Sequence, residues 1–336
     1  MAHRDLIVMG ASSGGVEALT KVIGGLPPDL PAAVFVVLHV PPEGRSMLPA
    51  ILNRLGTLPA AHAVDGERIR LGRIYVAAPG LQTYIGRGNI NVSRGPAENM
   101  HRPAIDPLFR TAAHHYGPRV VGVVLSGALD DGTAGLQAIK NAGGLAIVQD
   151  PDDARVAGMP GSALERVPID YCAPVAEIGP LLCRLIDRPV AAPDDLVREV
   201  PLETVDESSR KEAQDRLRDL GEASGLTCPD CNGAIWEIHD GQTVRYRCRV
   251  GHAYSPETMM KAQGDAVERA LWTAVRALEE RAALVRRLAV DARDRGLERL
   301  AAQFDTRARD IDRDASLVHD LLGTARALEP AIADEA

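Results

Sequence analysis

Three apolar runs of this chain end in residues that can do chemistry. Leu6 to Met9 runs into Gly10-Ala-Ser-Ser-Gly-Gly15. Val34 to Leu38 ends in His39 and then Val40-Pro-Pro-Glu-Gly44. Arg119 to Leu125, the most apolar of the three, ends in Ser126-Gly-Ala-Leu-Asp-Asp-Gly-Thr133. A serine, a histidine and a carboxylate are the parts of acyl transfer. The hydroxyl attacks, the imidazole takes its proton, and the carboxylate fixes the imidazole tautomer and stabilises the imidazolium. Ser12 or Ser13, His39, and Asp130 or Asp131 are the candidates. Each has a plainer reading alone: a phosphate cradle, a structural histidine after a strand, a helix N-cap or turn. The glycine spacing does not give G-x-G-x-x-G, nor does G-K-[ST] follow, and the next run ends in His39 where a ribose-binding acid belongs. The joint placement of all three at run ends favours acyl transfer.

A second chemical cluster lies far downstream, in Cys228-Pro-Asp-Cys231 and Cys248-Arg-Val-Gly-His252. A C-x₂-C knuckle followed by a second sulfur–nitrogen pair is a zinc-ribbon signal. Three thiolates and one imidazole complete a closed tetrahedral site, so the metal is expected to be structural zinc, with no cofactor needed for catalysis. His252 is the fourth ligand, with His239 as the fallback. The plainer reading is a hairpin with free thiols.

The elements that must position these groups follow from the pattern. Strand-like runs at Leu6 to Met9, Val34 to Leu38, Arg73 to Val76, Arg119 to Leu125 and Leu145 to Gln149 alternate with helical stretches. The helices are expected from about Val16, over Ser46 to Leu55, Ile105 to Tyr116, after Thr133 to Ala142, and Val175 to Ile186. Gln82 to Ile85 and Ile90 to Ser93 read as a hairpin. This alternation predicts an α/β fold, a doubly wound, mainly parallel sheet with helices on both faces. Sites in such sheets form outside the carboxyl ends of the strands, where Ser12, His39 and Asp131 would stand.

The 336 residues suggest two or three domains, and 46% hydrophobic residues suffice for a sizeable core. The net charge of -8 disfavours nucleic acid. No apolar run is long enough for a membrane span, and no signal peptide is visible ahead of the first strand. Five cysteines, three of them in one short segment, fit a reducing cytoplasm and a metal site better than disulfides. Cys172 and Cys183 read as core residues.

Taken in order, Gly10-Ala-Ser-Ser-Gly-Gly15, His39-Val-Pro-Pro42, Tyr75-Val-Ala-Ala-Pro-Gly80, Arg102-Pro-Ala-Ile-Asp106, Leu125-Ser-Gly-Ala-Leu-Asp-Asp-Gly132 and Gly158-Met-Pro160 resemble the catalytic domain of the chemotaxis protein-glutamate methylesterases. The resemblance spans roughly residues 4–187. It implies that Ser12 is the nucleophile, His39 the general base and Asp131 the orienting acid. The implied substrates are glutamate γ-methyl esters on the helical bundle of a chemoreceptor, with methanol as product and deamidation of receptor glutamines as a side activity. Ser13, Gly14 and Ala128 are candidates for the oxyanion site. Arg102 and Met159 are candidates for substrate contact, although Arg102 and Asp106 also suit a buried ion pair. Two departures stand out. Ser13 replaces the usual threonine, and Leu129 replaces a glycine in the loop before the acid. The family commonly carries a phospho-accepting receiver domain ahead of this one. The sequence here begins at the first catalytic strand, so regulation is expected to come from elsewhere or to be lacking.

From about Asp187 the composition shifts. The expected organisation is a catalytic domain over residues 1–187 and a linker with a short charged helix over 188–225. A zinc-ribbon-like unit over 226–255 and an antiparallel helical hairpin over 256–325 follow. Val267, Leu271, Ala274, Leu278 and Val285 form one stripe of that hairpin; Leu297, Phe304, Ile311 and Val318 form the other. The hairpin could dock a chemosensory partner, dimerise, or occupy the cleft as a pseudo-substrate. The competing function class is a non-catalytic adaptor that binds receptor helices.

Overall fold

The computed structural model describes residues 2–44, 46–56, 58–186, 188–190, 221–240 and 243–328. The short charged helix expected near residues 209–220 lies outside them. The chain divides into two compact units, Met1–Met259 and Met260–Ala336.

The first unit is built on a seven-stranded, wholly parallel sheet. Two-residue strands β1 (Ala2–His3) and β11 (Pro189–Val190) pair with each other outside it. Its own strands are β2 (Leu6–Ala11), β3 (Ala33–Leu38), β4 (Ala60–His62), β5 (Arg73–Val76), β8 (Val120–Val124), β9 (Leu145–Gln149) and β10 (Tyr171–Ala173). Their spatial order is β10-β9-β8-β2-β3-β5-β4. The chain leaves β2 toward β3 and later returns to β8 on the other side. The topological switch point, where connections part and a crevice opens, is therefore between β2 and β8. The hairpin β6 (Gln82–Ile85) and β7 (Ile90–Ser93) has the expected bounds.

Residues alternate faces along each strand, which gives two cores. Ile7, Met9 and Ala11 pack with Leu19 of α1 (Gly15–Gly24), Leu52 of α2 (Leu48–Leu55) and Leu182 of α6 (Val175–Leu185). Leu6 and Val8 pack on the opposite face. Their partners include Phe109 of α3 (Ile105–Tyr116), Leu136 of α4 (Thr133–Asn141) and Met159 of α5 (Gly158–Arg166). β2, β3 and β8 are buried along their whole length, and each buried Val, Leu or Ile contributes roughly 1.5–3 kcal/mol. The strand ends that carry the candidate residues thus rest on the most deeply packed part of the molecule.

Cys172 and Cys183 are exposed, contrary to the expectation of core residues. Cys172 takes the solvent-facing place on edge strand β10, between half-buried Tyr171 and buried Ala173.

The ribbon begins earlier than residue 226. Strand β12 (Gly221–Thr227) leads an antiparallel sheet with β13 (Ala234–Asp240), β14 (Thr243–Cys248) and β15 (Ala253–Tyr254). Glycine, serine and a glutamate in Gly221–Thr227 conceal the strand from hydrophobic patterning. This sheet belongs to the same compact unit as the parallel one.

The helical expectation is met by α7 (Pro256–Asp294) and α8 (Glu298–Leu328), with the break at Gly296, φ 73°. In the second unit Ala282, Val285, Ala308 and Ile311 form a core flanked by Leu278 and Phe304. Val267 and Leu297 of the predicted stripes are about half exposed, while alanines take the close positions. No helix among the described residues is long and apolar enough to cross a membrane.

Gly10 shows how tightly α3 seats on β2. A Cβ there would lie 2.5 Å from Ile105 Cγ2. Gly10→Val should lower stability by about 1–3 kcal/mol through overpacking, read as a lower urea midpoint with an unchanged slope. An unchanged midpoint would mean that α3 can shift freely.

Candidate active site and metal centre

Ser12 and His39 are the first residues past the paired ends of adjacent strands. Ala11 is in register with Leu38, and the His39 N–H donates to Ala11 O at 3.1 Å. Neighbouring strands run about 4.8 Å apart, so the sheet ladder itself brings the two side chains together. The Ser12 N–H donates to Ser126 O at 2.9 Å, and Ser12 O accepts the Gly15 N–H at 2.8 Å. This closes a tight strand-to-helix turn. It requires Gly14, whose φ of 76° is left-handed and whose Cβ would stand 2.7 Å from Ser126 Oγ. Ser13 is exposed beside it. With the Ser12 amide engaged, Ser13 and Gly14 present their N–H groups at the N-terminus of α1.

The loop after β8 supplies the carboxylates, and the structure separates their roles. Asp131 Oδ2 accepts from His39 Nε2 at 2.8 Å and from the Ile105 N–H at 2.7 Å. Its Oδ1 accepts from Asn99 Nδ2 at 2.9 Å, Gly132 N–H at 3.0 Å and Asp106 N–H at 3.2 Å. The side chains of His39 and Asp131 are 4% and 2% exposed. Burial pushes the Asp131 carboxyl up, but the bond and charge of His39, the Ile105 amide and Asn99 outweigh it and hold it at about 2. Asp131 is therefore a fixed anion. Because Nε2 carries the proton toward it, Nδ1 is the ring nitrogen left with a free lone pair, and it is buried with no hydrogen-bond partner among the described residues. His101 stacks on His39 with ring centroids 3.6 Å apart.

Asp130 points elsewhere. It accepts from Ser255 Oγ at 2.8 Å and from Arg166 Nη1 at 3.2 Å. Arg166 is shared with Glu257. Burial first, and the neighbouring Glu257, push Asp130 up to about 7, whereas Glu257, bonded to Arg166, stays below its ordinary range despite its own burial. With one guanidinium shared between two carboxyls, the more buried one has the higher proton affinity.

The remaining candidates divide. Gly127 lies between Met159 and Ser12: a Cβ on it would be 2.1 Å from Met159 Sδ and 2.8 Å from Ser12 Cβ. Met159 is thus a buried wall beside the serine. Ala128 is half-buried in the same loop. Leu129 has φ 61°, so the loop keeps the left-handed backbone that suits the usual glycine, at a cost of about 1–2 kcal/mol. Arg102 does not pair with Asp106; its Nη1 donates to Gly95 O at 3.0 Å. The ionic neighbour of Asp106 is Arg110 at 3.9 Å, and Arg110 also binds Glu98 at 2.7 Å. The sequence reading missed Asn99 and His101, which sit in a loop with no periodic pattern to mark them.

In the ribbon, the ligand atoms of Cys228, Cys231, Cys248 and His252 lie within 4.8 Å of one another. Cys228 Sγ is 3.7 Å and Cys248 Sγ 3.6 Å from His252 Nδ1, and Cys231 Sγ is 3.6 Å from Cys248 Sγ. Four ligands at zinc bond lengths of about 2.0–2.3 Å stand roughly 3.5–3.8 Å apart on a tetrahedron, so the donor set fits a metal ion. His239 is mostly exposed, pairs with Glu237 at 3.0 Å and takes no part.

Comparisons with known proteins agree on the first part of the chain. The profile of the CheB methylesterase family matches residues 7–182. A protein-glutamate methylesterase/protein-glutamine glutaminase 2 from Anaeromyxobacter dehalogenans (strain 2CP-C) is 39% identical over 177 residues, 53% of this chain and 52% of its own length. The chain thus spans about half the length of that relative. A putative protein-glutamate methylesterase/protein-glutamine glutaminase from Leptospira interrogans (serovar copenhageni) is 37% identical over 182 residues, 54% of this chain and 94% of its own length. The crystal structure of the Thermotoga maritima CheB methylesterase catalytic domain superposes with a TM-score of 0.51 at 32% identity, covering 54% of this chain and 98% of that one.

The raised proton affinity of Asp130 has a consequence for stability. Its folded value of about 7 lies above the unfolded value near 3.8, so the folded state binds more protons in that window. Stability should fall as pH rises from about 4 through 7. Asp130→Asn should remove that part of the slope, checked by comparing thermal midpoints of the two proteins from pH 5 to 8. Parallel curves would exclude a proton on Asp130.

Proposed function

We propose that this chain, which belongs to the CheB methylesterase family, is a serine esterase that hydrolyses glutamate γ-methyl esters of chemoreceptors and releases methanol. The observation that carries the reading is the buried His39–Asp131 pair one strand from Ser12. A protein that merely bound receptor helices would have no use for a base held in one tautomer behind a nucleophile.

In the proposed reaction Ser12 Oγ attacks the ester carbonyl while His39 Nδ1 takes its proton. Asp131 holds the Nε2–H and stabilises the imidazolium without itself becoming protonated. The carbonyl oxygen becomes an oxyanion. The N–H groups of Ser13, Gly14 and Ala128 are the candidate donors, each contributing about 10²–10³ in rate where aligned. Methanol departs with the proton from His39. Water then attacks the acyl-serine with His39 again as base, regenerating Ser12 and the glutamate carboxylate. A glutamine amide could enter the same cycle with ammonia leaving, which agrees with the double name of the relatives. Met159 walls the serine, and Arg102 is the candidate contact for substrate beyond the ester.

The domains proposed are the methylesterase domain, a ribbon held by structural zinc on Cys228, Cys231, Cys248 and His252, and a helical hairpin suited to docking other signalling proteins. Zinc would supply folding energy to the ribbon and takes no step in the chemistry. Free cysteines throughout fit a cytoplasmic setting.

Methanol release from methylated chemoreceptor is the direct assay. The parent chain should release it, and Ser12→Ala should lose about 10⁴-fold or more in kcat. A serine-directed phosphonate should label the parent and not the variant. Neither turnover nor labelling in the folded parent would leave the adaptor reading standing.

A further inference from the structure

The metal-bearing ribbon is stitched to the loop that precedes α3. A Cβ on Gly251 would stand 2.8 Å from Pro96 Cγ, and Glu98 bridges to Ala253. The Asn99 N–H donates to Ala253 O at 2.8 Å. Ala253 directly follows the ligand His252.

Asn99 is the meeting point. It is 2% exposed, with φ 50°, a left-handed conformation that asparagine tolerates better than most residues. Its amide can make four hydrogen bonds and makes all four. Nδ2 donates to Asp131 Oδ1 at 2.9 Å and to Asp106 Oδ2 at 3.0 Å. Oδ1 accepts from the Ser255 N–H at 2.9 Å and from Thr258 Oγ1 at 3.1 Å. Two carboxylates on one side and a backbone N–H on the other permit only this orientation of the amide. Ser255, just ahead of α7, also bonds Asp130, so this segment reaches Asp130 directly and Asp131 through Asn99.

We infer that Asn99 is a positioning residue for the Asp131 carboxylate, and that the metal-loaded ribbon, through Ala253, Ser255 and Thr258, holds Asn99 where it can do this. The inference rests on the esterase reading for its consequence, though not for its geometry. With the metal bound, His252 fixes Ala253 and the start of α7, and all four bonds of the Asn99 amide persist. With the metal removed, the ribbon side of Asn99 loses its anchors. The Glu98–His101 backbone pair still closes the turn that carries Asn99 and Met100, but the side-chain amide has lost both acceptor-side partners and leaves Asp131. The carboxylate keeps its amides from Ile105, Asp106 and Gly132 but loses a side-chain donor on Oδ1. It becomes more basic and less fixed, and it holds the imidazolium proton of His39 more tightly.

The test uses the full chain with ¹⁵N-labelled histidine, with the His39 signals identified from His39→Gln. In the zinc-loaded protein the His39 nitrogens should show the Nε2–H form. Stripping the metal with a chelator should shift the His39 nitrogens, and adding zinc back should restore them. Thr258→Val leaves all four metal ligands in place and should shift the same signals in the same direction by less. In the methanol-release assay both changes should move the acidic limb of kcat/KM upward, by about 0.5–1 pH unit, because a carboxylate with one donor fewer favours a positive charge beside it. Stripping should lower kcat by about 10–100-fold, the cost of a misplaced catalytic group. Unchanged His39 signals on stripping would overturn the inference. A shift on stripping with none in Thr258→Val would overturn the route through Asn99. The NMR readout needs no turnover, so a failure of the esterase reading leaves this test intact.

Discussion

A carboxylate with almost no access to water has to be held by donors from the protein, and the first unit is arranged to supply them to Asp131. Five converge on it, from His39, Asn99, and the amides of Ile105, Asp106 and Gly132. Ile105 and Asp106 open α3, so the anion sits at a helix N-terminus whose unpaired amides and dipole suit it. Bringing that helix end to the strand ends requires a residue with no side chain on β2, which is Gly10. It also requires a turn into α4 through Gly132 at φ 97°, where most side chains would be strained. The second carboxylate, Asp106, is pushed well above its ordinary value by burial and by Asp131, and it is satisfied by the Gly132 and Gly135 amides. Few of these contacts can change without leaving one of the two carboxyls short of partners.

Much of this was legible in the chain because the chemistry sits where patterns end. Ser12, His39 and Asp131 each follow an unbroken apolar run, and such runs identify central parallel strands. Choosing Asp131 over Asp130 required the family resemblance, since adjacent aspartates differ only in the direction they face. The cluster of Cys228, Cys231, Cys248 and His252 was legible from spacing alone. What stayed hidden was set by contacts distant in sequence. Asn99 looks like any loop asparagine until Ser255 and Thr258 are brought to it. The strand Gly221–Thr227 has too little apolar character to read as one and gains its place by pairing with β13. Cys172 and Cys183 were misjudged because residue type says less about burial than position on an edge strand or an outer helix face does.

The two carboxylates of the Asp130-Asp131 pair show how one loop serves two tasks. Asp131 faces the imidazole and stays charged. Asp130 faces Arg166 and the ribbon, and burial beside Glu257 raises its proton affinity toward neutrality. The sequence resemblance covers the first half of the chain, yet the loop that carries the candidate acid also makes contacts with the segment beyond it. A polar seam of this kind, with Ser255, Thr258, Asn99 and Arg166 each joined to more than one partner, ties the ribbon to its neighbour by direction-dependent bonds.

Separation along the chain bears on the site as well. β2 and β3 lie close in sequence, whereas β8 joins β2 only when Leu6 meets Val120, more than a hundred residues further on. Contacts that close long loops form late. Asp131, a few residues past β8, reaches His39 only once that long-range pairing has formed. On the proposed reading, the histidine beside Ser12 therefore lacks its orienting partner until the two halves of the sheet have joined.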